Sequence, residues 1–276
     1  MAPSPFSELD RPPLRAQVLR RALVSPGGLW TAIEVKAETE STNADVVRAA
    51  RDGADEGLVV VAERQTAGRG RLGRRWESPP RAGLMVSVLL RPTRQTPTSR
   101  YGWLPLLAGV ALVESVRRLG AVDAVLKWPN DLLIDERKCA GILAEAVPET
   151  GVVVGIGLNV TLRDSELPVP EATSLALAGS ACTDRDPLLR ALLRGLAGWY
   201  RRWRDMHGDA EASGLRDAYR LHCATLGRRV DVTLPGGTVL SGDASDVDGD
   251  GRLVVVDTRG ELTALSAGDV RQFRAN

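Results

Sequence analysis

Four arginines fall within seven positions: Arg69, Arg71, Arg74 and Arg75. They are threaded among Gly68, Gly70 and Gly73 and followed at once by Trp76. Glycines let backbone N–H groups approach an anion closely, and guanidinium forks match the oxygens of a phosphate or carboxylate. Gly68-Arg-Gly-Arg-Leu-Gly73 also has the spacing of a dinucleotide fingerprint. That fingerprint must open a helix, however, and here Pro79 and Pro80 follow. A solvated basic surface loop has the same composition, so the loop alone leaves both readings open. Trp76 adds an aromatic face on which a base could stack.

A second cluster is Lys127-Trp-Pro-Asn-Asp131. Pro129 holds Trp128 extended. Asn130 and Asp131 then set an amide and a carboxylate at a turn, as an ordinary Asx turn between strands also would. Lys138 stands at the start of an apolar strand pattern, where a lysine is normally solvated. Gly141, Gly155 and Gly157 interrupt strand patterns. Glycine there gives up packing and marks the close approach of a ligand or another backbone. Asn159 lies two residues past Gly157, on the same strand face. In Ser41-Thr42-Asn43, Thr42 is the expected N-cap, with Asp45 in the first turn. Capping accounts for that motif, and an exposed helix N-terminus can also receive a polar ligand group. Of 36 basic residues only Lys36, Lys127 and Lys138 are lysines, and two of them fall in this region.

Other chemistries lack their raw material. Cys139, Cys182 and Cys223 form no CxxC pair, and His207 and His222 lie far from Cys139 and Cys182 in sequence, so no metal-ligand set or disulfide framework is expected. Asp246-x-Asp248-x-Asp250-Gly251 approaches a calcium-loop pattern, but both flanks read as strands, so a hairpin turn is expected.

The elements that must position these residues follow from periodicity. Helical spacing is predicted over 14–23, 44–50 (Ala44, Val47 and Ala50 inward), 101–119, 187–206 and 214–223. Strands are predicted over 30–35, 58–62, 83–90, 131–134, 141–147 and 152–160, with residues 66–82 as a long loop. Short turns join the later strands, which favours an antiparallel meander. After Gly227 the texture changes to four short strands split by glycine turns, a small all-β barrel with little core of its own. The predicted organisation is an N-terminal tail with a short helix (1–29), a main α/β domain (30–226) and the small β domain (227–276).

The chain has 276 residues, 43% apolar and 26% charged, which excludes wholesale disorder. Its net charge of +1 argues against a generally basic nucleic-acid binder. No apolar run reaches membrane-spanning length, and the first thirty residues carry no signal-peptide core. A cytoplasmic protein is expected.

Taken in order, these segments resemble one family, the biotin–protein ligases, also called biotin–[acetyl-CoA-carboxylase] ligases. The resemblance rests on Ser41-Thr-Asn43, Gln65-Thr-Ala-Gly-Arg-Gly-Arg-Leu-Gly-Arg-Arg-Trp76, Lys127-Trp-Pro-Asn-Asp-Leu132, Lys138-x-x-Gly-Ile-Leu-x-Glu145 and Val154-Gly-Ile-Gly-Leu-Asn-Val160. It covers roughly residues 30–275. It implies an α/β (α+β) catalytic domain on a mixed, mainly antiparallel sheet, followed by an SH3-like barrel. It also implies a two-step reaction: biotin and ATP give biotinyl-5′-AMP and pyrophosphate, and biotin then passes to a lysine of a biotin carboxyl carrier domain. By family position Ser41, Thr42, Asn43, Gln65, Arg69, Gly70, Arg71, Lys138, Gly141 and Gly157 surround biotin. Arg74, Trp76, Asn130, Asp131 and Asn159 serve the nucleotide, with Trp76 on the adenine. Lys138 and Arg71 would act on the reacting centre, and magnesium would accompany ATP. Some members carry an N-terminal DNA-binding domain, for which the proline-rich start of this chain is too short, so no nucleic-acid partner is expected. The alternatives are a lipoate–protein ligase and a non-catalytic biotin-sensing regulator. None of the matched residues lies in the C-terminal domain, which is therefore expected to act in transfer to the carrier more than in adenylation.

Overall fold

The computed structural model describes residues 11–234 and 236–272. Helix α1 (Ala16–Leu23) leads to β1 (Ala32–Lys36), α2 (Thr42–Arg51), β2 (Leu58–Ala62) and β3 (Gly83–Leu90). Helix α3 (Trp103–Gly120) precedes four strands, β4 (Ala124–Lys127), β5 (Asp131–Ile134), β6 (Arg137–Val147) and β7 (Gly151–Asn159). Helices α4 (Arg185–Asp205) and α5 (Leu215–His222) follow. The first seven strands form one sheet in the order β1-β2-β3-β7-β6-β5-β4. Only β1 and β2 pair in parallel, joined through α2; the other pairings are antiparallel, as the short turns require. Strand β4 was not anticipated.

Strand alternation divides the core. Val59 and Val61 of β2, Leu84, Val86 and Val88 of β3, and Val152, Val154, Ile156 and Leu158 of β7 face the large core with α3 and α4. On the other face Val60, Leu89 and Val153 pack beneath Val46 and Ala50 of α2. Further along β7 the positions on this second face are Gly155, Gly157 and Asn159, where α2 reaches no further than Asn43 over Gly155.

Helix α2 departs from expectation in two ways. Its N-cap is Ser41, whose Oγ accepts from the Ala44 N–H at 3.4 Å; Thr42 is the first helical residue. Its inward face carries Asn43, Val46 and Ala50, while Ala44 is exposed and Val47 half-buried. Periodicity of apolar residues misplaced the face because Thr42, Asn43 and Asp45 are buried in hydrogen bonds rather than in hydrocarbon.

The C-terminal unit has five strands, β8 (Arg229–Thr233), β9 (Val239–Val247), β10 (Leu253–Val256), β11 (Leu262–Leu265) and β12 (Asp269–Gln272). The fifth was not anticipated. They form an antiparallel sheet ordered β11-β10-β9-β8-β12, and among the described residues no ladder joins β11 to β12, so the expected closed barrel is not formed by pairing. Its inward residues, among them Val230, Val232, Ala244 and Leu253, merge with the main core. The Trp103 and Trp128 indoles donate to the carbonyls of Gly249 and Gly251. A unit of this size completes its core by packing on its neighbour. The calcium-like segment is the β9–β10 hairpin, where Asp248 accepts the N–H groups of Asp250 and Arg252.

Residues 1–10, the larger part of the expected tail, lie outside the described residues. Residues 11–13, ahead of the expected helix, are anchored: Arg11 pairs with Glu166, and the Pro12 carbonyl accepts from Arg185. Leu14 is buried, and its N–H donates to Glu63 Oε1 at 2.6 Å.

Candidate active site

A cavity of about 560 Å³ opens on the bare part of the sheet, within the range that holds a cofactor-sized ligand. Its floor follows from register. Gly157 stands opposite Met85 on one side and Gly141 on the other; Gly155 stands opposite Ser87 and Leu143. These glycines leave a trough in the sheet. A Cβ at Gly155 would come within 2.0 Å of Asn43 Oδ1, and one at Gly157 within 2.4 Å of the Trp76 ring. Close approach was expected at these glycines; the groups that approach are side chains of this same chain.

The N-terminus of α2 walls one end. Gln65 Oε1 accepts from the Thr42 backbone N–H at 2.8 Å and from its hydroxyl at 3.0 Å. The Ser87 hydroxyl lies 2.7 Å from Thr42 Oγ1 and 2.6 Å from Asn43 Oδ1. Asn43 Nδ2 donates to Glu145 Oε1 at 2.6 Å. Ser87 and Glu145 thus belong to the support of the site. Ser87 was not singled out from sequence, since a serine in an apolar strand carries no spacing signal; Glu145 closes the Lys138–Glu145 motif but was given no role there.

The arginine loop closes the cavity from above. It makes a tight turn at Arg71–Gly73 and no helix, which excludes the dinucleotide fingerprint. Trp76 lies over the glycine trough, with Lys138 Nζ 5.9 Å from its ring centroid. Lys138 Nζ pairs with Asp131 Oδ1 at 2.6 Å. Arg71 Nη1 donates to Asn130 Oδ1 at 3.1 Å, and Asn130 Nδ2 donates to the Ile142 carbonyl. Burial pushes the Arg71 pKa below its ordinary value, against the charges of Asp131 and Asp269. Asn159 is buried and donates to the Thr173 carbonyl at 2.9 Å. Arg69, Gly70, Arg74, Gly141 and Gly157 also line the cavity, so every residue expected at the site from sequence is brought to it.

Wall residues outside every motif include Met85 of β3, Glu77, and Pro168, Val169 and Ala172 from the segment after β7. The C-terminal unit, which holds none of the motif residues, also contributes to the wall. Gly268 and Asp269 reach the cavity: Arg71 Nη1 donates to the Gly268 carbonyl at 3.4 Å, and Arg74 pairs with Asp269. Burial would raise the Asp269 carboxyl, but the Arg74 hydrogen bond and the charges of Arg74, Lys127 and Arg71 hold it below the usual range. Asp269→Ala is therefore expected to release the loop and to speed tryptic cleavage after Arg74 and Arg75 in unliganded protein several-fold. An unchanged cleavage rate would show that the loop is held by Arg71 and Trp76 alone.

Residues 33–160 match the Biotin/lipoate A/B protein ligase family, and residues 225–271 match the Biotin protein ligase C terminal domain. The chain is 44% identical over 268 residues to the biotin--[acetyl-CoA-carboxylase] ligase of Mycobacterium tuberculosis, covering 96% of this chain and 97% of that protein. It is 34% identical to the bifunctional ligase/repressor BirA of Bacillus subtilis over 82% of this chain and 70% of that one. Among solved structures it resembles the Aquifex aeolicus biotin protein ligase in complex with biotin and ATP (TM-score 0.72, 27% identity, 89% of this chain, 100% of that one). A second is the Leishmania major enzyme in complex with biotinyl-5-AMP (TM-score 0.58, 27% identity, 86% and 99%). Matched in both its modules, and by a relative along nearly its whole length, the chain belongs to the biotin/lipoate A/B protein ligase family, as a biotin protein ligase.

Proposed function

We propose that this enzyme joins biotin to ATP as biotinyl-5′-AMP and then transfers biotin to the lysine of a carboxylase carrier domain. One observation carries the reading: a single cavity holds an uncharged polar end, formed by Ser41, Thr42, Asn43 and Gln65, beside a cationic end formed by Arg69, Arg71 and Lys138. The polar end suits the ureido ring of biotin, and the glycine trough accommodates its apolar body. The cationic end receives two anions that repel each other in water. A carboxylate oxygen of biotin attacks the α-phosphorus, and the bond to pyrophosphate breaks. In the second step the carrier lysine amine attacks the anhydride carbonyl, AMP leaves and the amine proton is lost. Arg71 and Lys138 stabilise the charge at the reacting centre; Arg74, Trp76, Asn130, Asp131 and Asn159 hold the nucleotide. Among the described residues no group of three or more His, Cys, Asp or Glu gathers to hold a metal. Magnesium would enter with the ATP phosphates as part of that substrate. The C-terminal match argues for biotin over lipoate.

No described helix is long and apolar enough to cross a membrane. The unpaired Cys139, Cys182 and Cys223 support a reducing, cytoplasmic setting.

The test is ATP–pyrophosphate exchange. Exchange should require biotin, and lipoate should not replace it; equal exchange with lipoate would overturn the substrate assignment. Biotin with ATP should also slow tryptic cleavage between Arg69 and Arg75, because the adenylate supplies the anion that the loop arginines need. Cleavage at the same rate with and without both substrates would remove the loop from the site.

A further inference from the structure

The segment that enters the fold ahead of α1 bears on the site from outside it. Arg11 Nη1 and Nη2 donate to Glu166 Oε1 and Oε2 at 3.1 and 2.5 Å, and Nη2 also donates to the Thr161 carbonyl at 2.8 Å. The Arg11 side chain is only 12% exposed. Both partners belong to the segment between β7 and α4, and Glu166 closes its short turn by accepting the Arg163 N–H at 2.9 Å. Downstream, the same segment is stitched to the catalytic strand. The Lys138 N–H donates to the Glu171 carbonyl at 2.7 Å, and the Thr173 N–H donates to the Lys138 carbonyl at 2.8 Å. Between these two anchorages lie Pro168, Val169 and Ala172, which form one wall of the cavity.

We propose that Arg11 is a positioning residue of the biotin site: its fork on Glu166 and Thr161 fixes the segment that walls the cavity and holds the backbone of Lys138. The proposal rests on the reading of that cavity as the biotin site. The physical case is one of constraint. A segment of this length with little regular structure is costly to order. A bidentate arginine–carboxylate pair with a third bond to backbone sets both orientation and distance. Without it the wall keeps the bonds of Thr161 to Ala82 and of Ser174 to Leu162 and those at Lys138, but the stretch around Glu166 that leads into Pro168 and Val169 loses its hold on the rest of the fold. The strap stays attached through Leu14, Glu63 and Arg185, so loss of Arg11 frees the wall and not the fold.

The experiment uses the full chain with Arg11→Ala, Glu166→Gln and the exchanged pair Arg11→Glu with Glu166→Arg. Arg11→Ala should raise the KM for biotin in pyrophosphate exchange roughly tenfold, with a smaller fall in kcat, because a slightly misplaced wall costs affinity and alignment. Glu166→Gln should follow it more weakly, and the exchanged pair should recover most of the loss. Hydrogen exchange at the amides of Lys138 and Thr173 should quicken in Arg11→Ala and slow again in the exchanged pair, whatever the substrate. An unchanged KM for biotin overturns the proposal, even if Tm falls or the amides quicken, since Arg11 would then be a clasp of the fold only. Failure of the exchanged pair to recover also overturns it. If Arg11→Ala does not fold, Glu166→Gln carries the same test, and a normal KM there has the same consequence. Wild-type protein without biotin-dependent exchange would instead overturn the substrate reading, while the amide result still reports the coupling.

Discussion

Lys138→Arg should lose most biotin-dependent pyrophosphate exchange, on the order of 10²–10³ in rate, although the charge is kept. The reacting atoms are a carboxylate oxygen and an α-phosphate, both negative. A compact ammonium can sit between them and follow the charge into the transition state, whereas a guanidinium is larger and fixes two acceptors side by side. The local packing sharpens this. Lys138 Nζ already lies 2.6 Å from Asp131 Oδ1. Trp76 closes the other side. The larger head must displace one of these groups. Lys138→Ala should lose as much or more. The ordinary alternative is a half-exposed lysine near the start of a strand, for which arginine is neutral. Near-normal exchange by a folded Lys138→Arg protein, judged by an unchanged Tm, would return Lys138 to that role.

Arg185→Ala should lower stability by about 3–5 kcal/mol, the usual cost of leaving one half of a buried ion pair. Glu63 and Arg185 are 6% and 5% exposed and lie 2.6 Å apart. Arg185 also donates to the carbonyls of Gly83 and Pro12, so one guanidinium joins the end of β2, the start of β3 and the strap ahead of α1. At a few degrees per kcal/mol for a domain of this size, Tm should fall by roughly 10 °C. Replacing both partners, Arg185→Met with Glu63→Leu, should recover much of the loss, since the stranded carboxylate is then gone. A fall of less than 1 kcal/mol in the single variant would mean that water or a rearranged neighbour reaches Glu63.

The contrast between these residues shows what the sequence could and could not reveal. The arginine loop, the Lys127–Asp131 turn, the strand glycines and Lys138 were legible because they are local. Each is a run of residue types whose geometry is set within a few positions, and the family resemblance rests on the same runs. Strands were equally legible where an apolar, β-rich run of five or more residues stood between turn signals, as in β2, β3 and β7. The inward face of α2 was misread because its buried positions are polar, and hydropathy cannot mark a residue that is buried through hydrogen bonds.

What only the tertiary structure decided involves partners far apart in the chain. Gly155 reads as a gap in a strand; the fold fills the gap with Asn43, held by Ser87 and Glu145. Asp269 belongs to no motif, yet it reaches Arg74, 195 positions away. Arg11 reads as part of a tail, and the fold ties it to Glu166. In each case a charged or polar side chain has many possible partners in the unfolded chain. Sheet order and domain packing select one, because a buried polar group must find a partner and the fold decides which is within reach. The sequence by itself thus determined the chemistry of the site and the elements that carry it. The tertiary structure decided which distant groups hold that chemistry in place.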